Sequence, residues 1–224
     1  MPVLIHPDHG TLSIPNAVDD LESFREWVHT DTSIPEKLPV HFLNGEVWVD
    51  YSMEEFNSHN QIKAALYAMF GRVVLEEDRG TYLPDGMRYT SLTAKFSTEP
   101  DAMVVTHETM AAGVIEFSAG KSAKATELLG VPDLVVEIVS PSSVDKDFDW
   151  LMDAYFEAGI AEYWLIDALD ADSIRFEIFK RGPQGFRAVR KSAGWTRSTV
   201  IALSFRMTNT TNRSGWPVYR FETK

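Results

Sequence analysis

Glu137 is the residue whose setting most needs a physical reason. It sits inside an otherwise apolar run of Leu134, Val135, Val136, Ile138 and Val139, which reads as a strand buried on both faces. Taking a carboxylate out of water costs several kcal/mol even after relaxation, whereas an apolar side chain in the same place gains roughly 1.5–3 kcal/mol. A charge kept there requires a base, a set of donors or a metal ion. A second acid, Asp101, follows Pro100 and opens another apolar run, residues 102–105. Pro132-Asp133 repeats that pattern at the start of the strand holding Glu137, and the strand period of two puts Asp133 and Glu137 on one face. Lys146 follows in the next connection. Two carboxylates can hold Mg²⁺ (or Mn²⁺), a hard ion that prefers oxygen ligands. Such an ion activates water and steadies charge on a phosphate, while a lysine orients the water or neutralises developing charge. Asp101, Glu137 and Lys146 are the candidates for that chemistry.

These residues need a sheet to position them. After the strand at 134–139, Ser140-Pro141-Ser142-Ser143 makes a turn and Asp145 or Ser143 can cap a helix. Its apolar stripe includes Leu151, Met152, Tyr155 and Phe156, and Gly159 closes it. Residues 161–167 return as a second apolar strand. Strand, helix and strand in that order predict a parallel βαβ crossover within an α/β fold. Upstream, Leu21, Phe24, Trp27 and Val28 predict a short amphipathic helix over 18–29. Residues 40–43 and 46–49 flank Asn44-Gly45 as a hairpin. One long helix is expected over 59–77 with Ser58 as cap, and strand pieces at 81–83 and 88–92. Residues 107–130 read as a loop or short hairpin. Strands are expected at 173–180, 186–191 and 199–207.

The 224 residues are 44% apolar and 12% aromatic, which suits a packed core rather than a disordered chain. No apolar run is long enough to span a membrane, and residues 1–10 lack the basic start and apolar block of a secretion signal. There is no cysteine, so disulfides and thiolate metal sites are excluded. A cytoplasmic protein is the expectation. The net charge of −12 argues against a broad basic nucleic-acid surface. Between Ile174 and Arg206, however, eight basic residues (Arg175, Lys180, Arg181, Arg187, Arg190, Lys191, Arg197 and Arg206) face one acid, Glu177. That strip either meets a polyanion or is a solvated hairpin.

Several blocks resemble the Uma-two family of restriction-endonuclease-like proteins, within the PD-(D/E)XK nuclease superfamily. They are Leu43-Asn44-Gly45-Glu46-Val47, His59-Asn60, Glu99-Pro100-Asp101, residues 132–142, Ala158-Gly159-Ile160 and residues 162–167. The resemblance implies a restriction-endonuclease-like core with a mixed central sheet flanked by helices. It also implies Mg²⁺-dependent hydrolysis of phosphodiester bonds in nucleic acid, with DNA the expected substrate, and a homodimer. The implied site is Glu46, Asp101 and Glu137 on the metal plus a lysine, with His59 and Asp133 in supporting or substrate roles. This chain departs from the pattern at the lysine: Val139 stands two after Glu137, and Leu151 stands where many members carry it. Lys146 is the substitute that the sequence offers.

Each candidate also has a plain structural reading. Asp101 can end a loop, Asp133 can cap one, and Glu46 can flank a turn at the surface. His59 and Lys146 can be solvated, and Tyr163 and Trp164 belong to the core. The expected organisation is an arm at 1–17, one domain at 18–207 and a tail at 208–224. Two rival functions remain: a catalytically degenerate module that binds nucleic acid or protein, and a hydrolase using paired acids on sugars. The latter requires carboxyls about 5–9.5 Å apart.

Overall fold

A computed structural model describes residues 3–6, 10–35, 38–50, 56–119, 124–140, 150–170 and 174–224. Lys146, Ser143 and Asp145 lie outside the described residues. The chain begins with an antiparallel pair, β1 (Val3–His6) and β2 (Gly10–Ser13). Helix α1 (Leu21–Thr30) starts where Asp20 can cap it: the Asp20 carboxylate accepts from Ser23 N at 2.8 Å, and Ser23 Oγ accepts from Asp20 N at 3.1 Å. This reciprocal cap satisfies amides that no earlier turn can reach. Strands β3 (Val40–Leu43) and β4 (Glu46–Val49) form the expected hairpin, with positive φ at Asn44 (53°) and Gly45 (80°).

The helix expected over 59–77 is three consecutive pieces: a π-helical turn (Phe56–Asn60), α2 (Gln61–Phe70) and a second π-helical turn (Gly71–Glu76). Over so few residues a wider turn leaves the apolar spacing almost unchanged, so the sequence pattern does not separate them. Next come β5 (Gly80–Pro84), β6 (Arg88–Ser91), β7 (Phe96–Thr98) and β8 (Ala102–Thr106). Residues 107–130 hold a short helix, α3 (His107–Ala111), besides the antiparallel pair β9 (Glu116–Ala119) and β10 (Ala125–Leu129). The crossover follows: β11 (Leu134–Ile138), α4 (Leu151–Ala158) and β12 (Glu162–Asp167). Gly159 closes α4 with φ 101°, in the left-handed region open to glycine. The chain ends with β13 (Arg175–Gly182), β14 (Gly185–Ala188), β15 (Thr196–Arg197), β16 (Ser204–Thr211) and β17 (Pro217–Thr223).

The central sheet has the order β14-β13-β12-β11-β8-β5. It is mixed: β11 and β12 are parallel, as the crossover requires, and the other pairs are antiparallel. A second six-stranded sheet has the order β4-β3-β7-β6-β10-β9, and β15-β16-β17 form a small third one. Alternation along the strands divides the core. Ala102, Val104, Leu134, Val136, Trp164 and Ile166 face α2 and the β16–β17 hairpin. Met103, Val105, Val135, Tyr163 and Leu165 face α4 and the second sheet. On the far side of that second sheet, Val40 and Phe42 pack with Phe24 and Trp27 of α1.

Both chain ends join this core. Leu12 and Ile14, from the segment expected as an arm, pack beside α1. Tyr219 and Phe221, from the expected tail, pack with the α2 side of the central sheet. Among the described residues no helix is long and apolar enough to cross a membrane.

The strand expected over 199–207 starts only at Ser204, and Glu162 explains the shift. Glu162 is fully buried in the central sheet. Its Oε1 accepts from Thr199 N (2.5 Å), Thr199 Oγ1 (2.6 Å) and Val200 N (3.2 Å). Its Oε2 accepts from Ser198 Oγ (2.7 Å) and Trp164 Nε1 (3.1 Å). Residues 198–200 therefore close around a carboxylate instead of joining a ladder. Removing Glu162 strands these donors, and hydrogen bonds to charged groups contribute about 1.5–3 kcal/mol each. Glu162→Ala is expected to lose about 3 kcal/mol or more in urea unfolding; a loss below about 1 kcal/mol would show that the loop closes without it.

Candidate functional site

Asp101 and Glu137 meet at the end of one ladder. Strands β8 and β11 pair antiparallel, with Leu134 opposite Val104, Val135 opposite Met103 and Val136 opposite Ala102. One further step sets Asp101 opposite Glu137. Val139 N donates to Ile166 O on β12, so Ile138 N turns the other way, past the start of β8. There the Asp101 side chain takes the place of a missing strand: Asp101 Oδ2 accepts from Ile138 N at 2.7 Å. Pro100 precedes it and is buried. The approach is braced by Arg88, which pairs with Glu99 and donates to Val40 O at 2.9 Å.

Each acid is engaged from a different layer. Glu137 is 3% exposed, on the face that meets α4, and Tyr155 of α4 donates its hydroxyl to Glu137 Oε1 at 2.5 Å. The Tyr155 ring is fixed among Tyr89, Phe96 and Tyr163. Asp101 is reached from the α2 side: Asp101 Oδ1 lies 3.1 Å from Lys63 Nζ and 3.5 Å from His59 Nε2. Lys63 Nζ also lies 2.8 Å from Asp85 Oδ2. Burial alone would raise the Asp101 pKa. The His59 hydrogen bond and charge, the Lys63 ammonium and the Ile138 amide outweigh it and hold the carboxyl at about 2, below its ordinary 3.8.

The two remaining expected acids, Asp133 and Glu46, are set differently. Asp133 lies at the opposite end of β11, where its carboxylate accepts from Thr106 N (2.7 Å) and Thr109 Oγ1 (2.8 Å). Those are the contacts of a loop cap, beside the first turn of α3. Glu46 is exposed at the start of β4, an edge strand of the second sheet. It shares a face with Trp48, whose ring meets Trp150 at 4.4 Å at the head of α4. Tyr163 and Trp164 are core, as expected. Lys63 and Tyr155 were not singled out by sequence. Tyr155 was legible only as part of the α4 stripe, whereas Lys63 stands four residues after His59, a spacing that brings two side chains to one helical face.

The basic strip has partners of its own. Glu177 lies 3.0 Å from Lys191 and 3.7 Å from Arg175. Arg181 stacks 4.1 Å over the Phe156 ring, and Arg206 pairs with Glu222 at 2.5 Å. Lys180 pairs with Glu162 in the ladder and Glu162 with Leu134, so the β13–β14 turn lies at the end of the sheet away from Glu137. Four of the eight basic residues are thus engaged within the chain, and Lys180, Arg187, Arg190 and Arg197 are exposed.

Among the described residues no three His, Cys, Asp or Glu side chains cluster in the manner of metal ligands. Mg²⁺, however, is commonly held by one or two carboxylates with waters and substrate phosphates completing the shell. Two adjacent acids, one kept ionised, suit that requirement in type and number.

A depressed pKa makes Asp101 a source of stability above its unfolded pKa, lost as pH falls through the folded one. Wild type is therefore expected to exceed Asp101→Asn by about 2 kcal/mol in urea unfolding at neutral pH. The gap should narrow as pH drops from about 4 toward 2. A gap that stays constant over that range would show that these partners do not hold the carboxylate ionised.

Comparison with known proteins agrees with this architecture. A crystal structure described as a putative nuclease belonging to DUF820, from Anabaena variabilis, superposes with a TM-score of 0.58 at 18% identity, covering 82% of this chain and 90% of that one. At that identity the likeness is one of fold. No curated protein matches the chain. The sequence matches the Uma2 family, described as "Putative restriction endonuclease", over residues 21–208, which include Asp101, Glu137, the crossover and α2. The chain belongs to the Uma2 family.

Proposed function

We propose that this protein is a divalent-metal-dependent nuclease that hydrolyses phosphodiester bonds in nucleic acid, with DNA as the expected substrate. The observation that carries the reading is the pair Asp101 and Glu137, buried and opposite one another at the end of the β8–β11 ladder. Membership of the Uma2 family supports it. Asp101 and Glu137 would hold Mg²⁺ or Mn²⁺, with Glu46 assisting from β4. The ion, when bound, supplies a Lewis acid for the phosphate and a water that ionises near neutral pH. The chain's own groups preorganise the acids. Ile138 N and His59 fix Asp101, and the Tyr155 hydroxyl fixes Glu137. The apolar layers behind both strands keep water from competing for the carboxylates.

A second reading keeps the fold without the chemistry. It is favoured by the contacts of Asp101, whose charge is balanced by Lys63 and His59 with no metal required. The two readings separate by calorimetry and cleavage assay together. Titration of Mn²⁺ into wild type is expected to give binding heat that Glu137→Ala loses, and a nucleic-acid substrate is expected to be cut only with metal present. Indistinguishable heats, with no cleavage above a chelator control, would select the non-catalytic module.

A further inference from the structure

Leu151 stands at the position where the family resemblance puts a lysine, and it is fully buried in the core with Tyr155. Helix α4 therefore brings no cation to the acids from that position. The opposite layer does. Lys63, on α2, places its ammonium 3.1 Å from Asp101 Oδ1. Its side chain is 13% exposed, and His59, four residues earlier, reaches the same oxygen. Asp101 can be approached from the α2 side because it lies beyond the start of β8, where no strand separates the two faces of the sheet.

We propose that Lys63 serves as a lysine of this site, supplied by α2. The inference rests on the nuclease reading above and assigns within it a residue that the spacing around Glu137 does not indicate. Lys63 is shared between Asp101 and the more exposed Asp85. A flexible four-carbon stem lets its compact charge move from Asp85 to a phosphate oxygen without leaving Asp101. Lys63 is held within reach of two carboxylates, Asp85 and Asp101, and its part is electrostatic. In the hydrolysis the water oxygen bonds phosphorus and the bond to the leaving oxygen breaks. One water proton stays on the new phosphate and the other reaches the leaving oxygen through solvent. Lys63 keeps its own proton and offsets the charge that grows on the phosphoryl oxygens.

The test compares the full-length wild type with Lys63→Met, Lys63→Arg and Glu137→Gln. It measures kcat and KM on DNA, Mn²⁺ affinity by calorimetry and the melting temperature. Lys63→Met is expected to lower kcat about 100-fold or more, with KM within about threefold of wild type. Its Mn²⁺ binding should be as tight or tighter, because a neighbouring cation has been removed from the ligand Asp101. Lys63→Arg should recover part of kcat by restoring the charge. If Lys63→Met does not fold, Lys63→Gln, which keeps a donor toward Asp101, is read by the same criteria. A kcat within about threefold of wild type would overturn the assignment, while loss of Glu137→Gln activity would leave the nuclease reading standing. Joint loss of Mn²⁺ binding and activity in Lys63→Met would also overturn it, by making Lys63 a prop for Asp101. A wild type that neither binds Mn²⁺ nor cuts DNA would overturn both the assignment and the reading beneath it.

Discussion

An ionised carboxylate inside a protein must find its counter-charge or its donors locally, and this constraint orders much of the molecule. Among the described residues four acids are buried: Asp101, Glu127, Glu137 and Glu162. Two of them hold layers together. Glu127 takes both ends of the Arg25 guanidinium, at 2.9 and 2.8 Å, and His29 at 3.1 Å, fixing α1 to the second sheet. Burial opposes ionisation there, and Arg25 and His29 prevail, so its pKa is well below the usual carboxylate range. Glu162 is satisfied by loop amides and hydroxyls with no cation among the contacts described above. Asp101 and Glu137 differ in sharing one end of the β8–β11 ladder, where Lys63 and His59 reach the first and the Tyr155 hydroxyl donates to the second.

The architecture makes such compensation possible from two directions. Because β8 begins at Ala102, the sheet ends beside Glu137, and groups on either face can reach the same place. Tyr155 arrives from the α4 layer, and His59 and Lys63 arrive from the α2 layer. The π-helical turn over Phe56–Asn60 places His59 two residues before α2, so the helix start and the acid are joined through His59 and Lys63. The strands beneath this corner are buried on both faces over residues 102–105 and 134–138.

Much of this was readable in the residues. A charge within an apolar run identified Glu137, and the crossover followed from the order of strand, helix and strand. The Asn44-Gly45 hairpin was found to the residue because only a few dipeptides tolerate its positive φ values. What escaped was long-range. Lys63 lies among the polar positions of a helix, and nothing local marks which carboxylate it meets. Glu162 reads as a polar residue at the entry of a strand, yet its five donors from 164 and 198–200 reshape a distant segment. The C-terminal hairpin carries a signal, since Tyr219 and Phe221 alternate with Arg220 and Glu222, but the polar run around 208–215 masks it.

The central claim is that the corner formed by Asp101 and Glu137 grips a divalent cation. A crystal of the protein soaked in Mn²⁺, measured for anomalous scattering, tests it most directly. The account predicts one strong peak touching an oxygen of each carboxylate, with the Lys63 ammonium still beside Asp101. Density in which both carboxylates keep their present partners, with no peak between them at a Mn²⁺ concentration that saturates other sites, would contradict it.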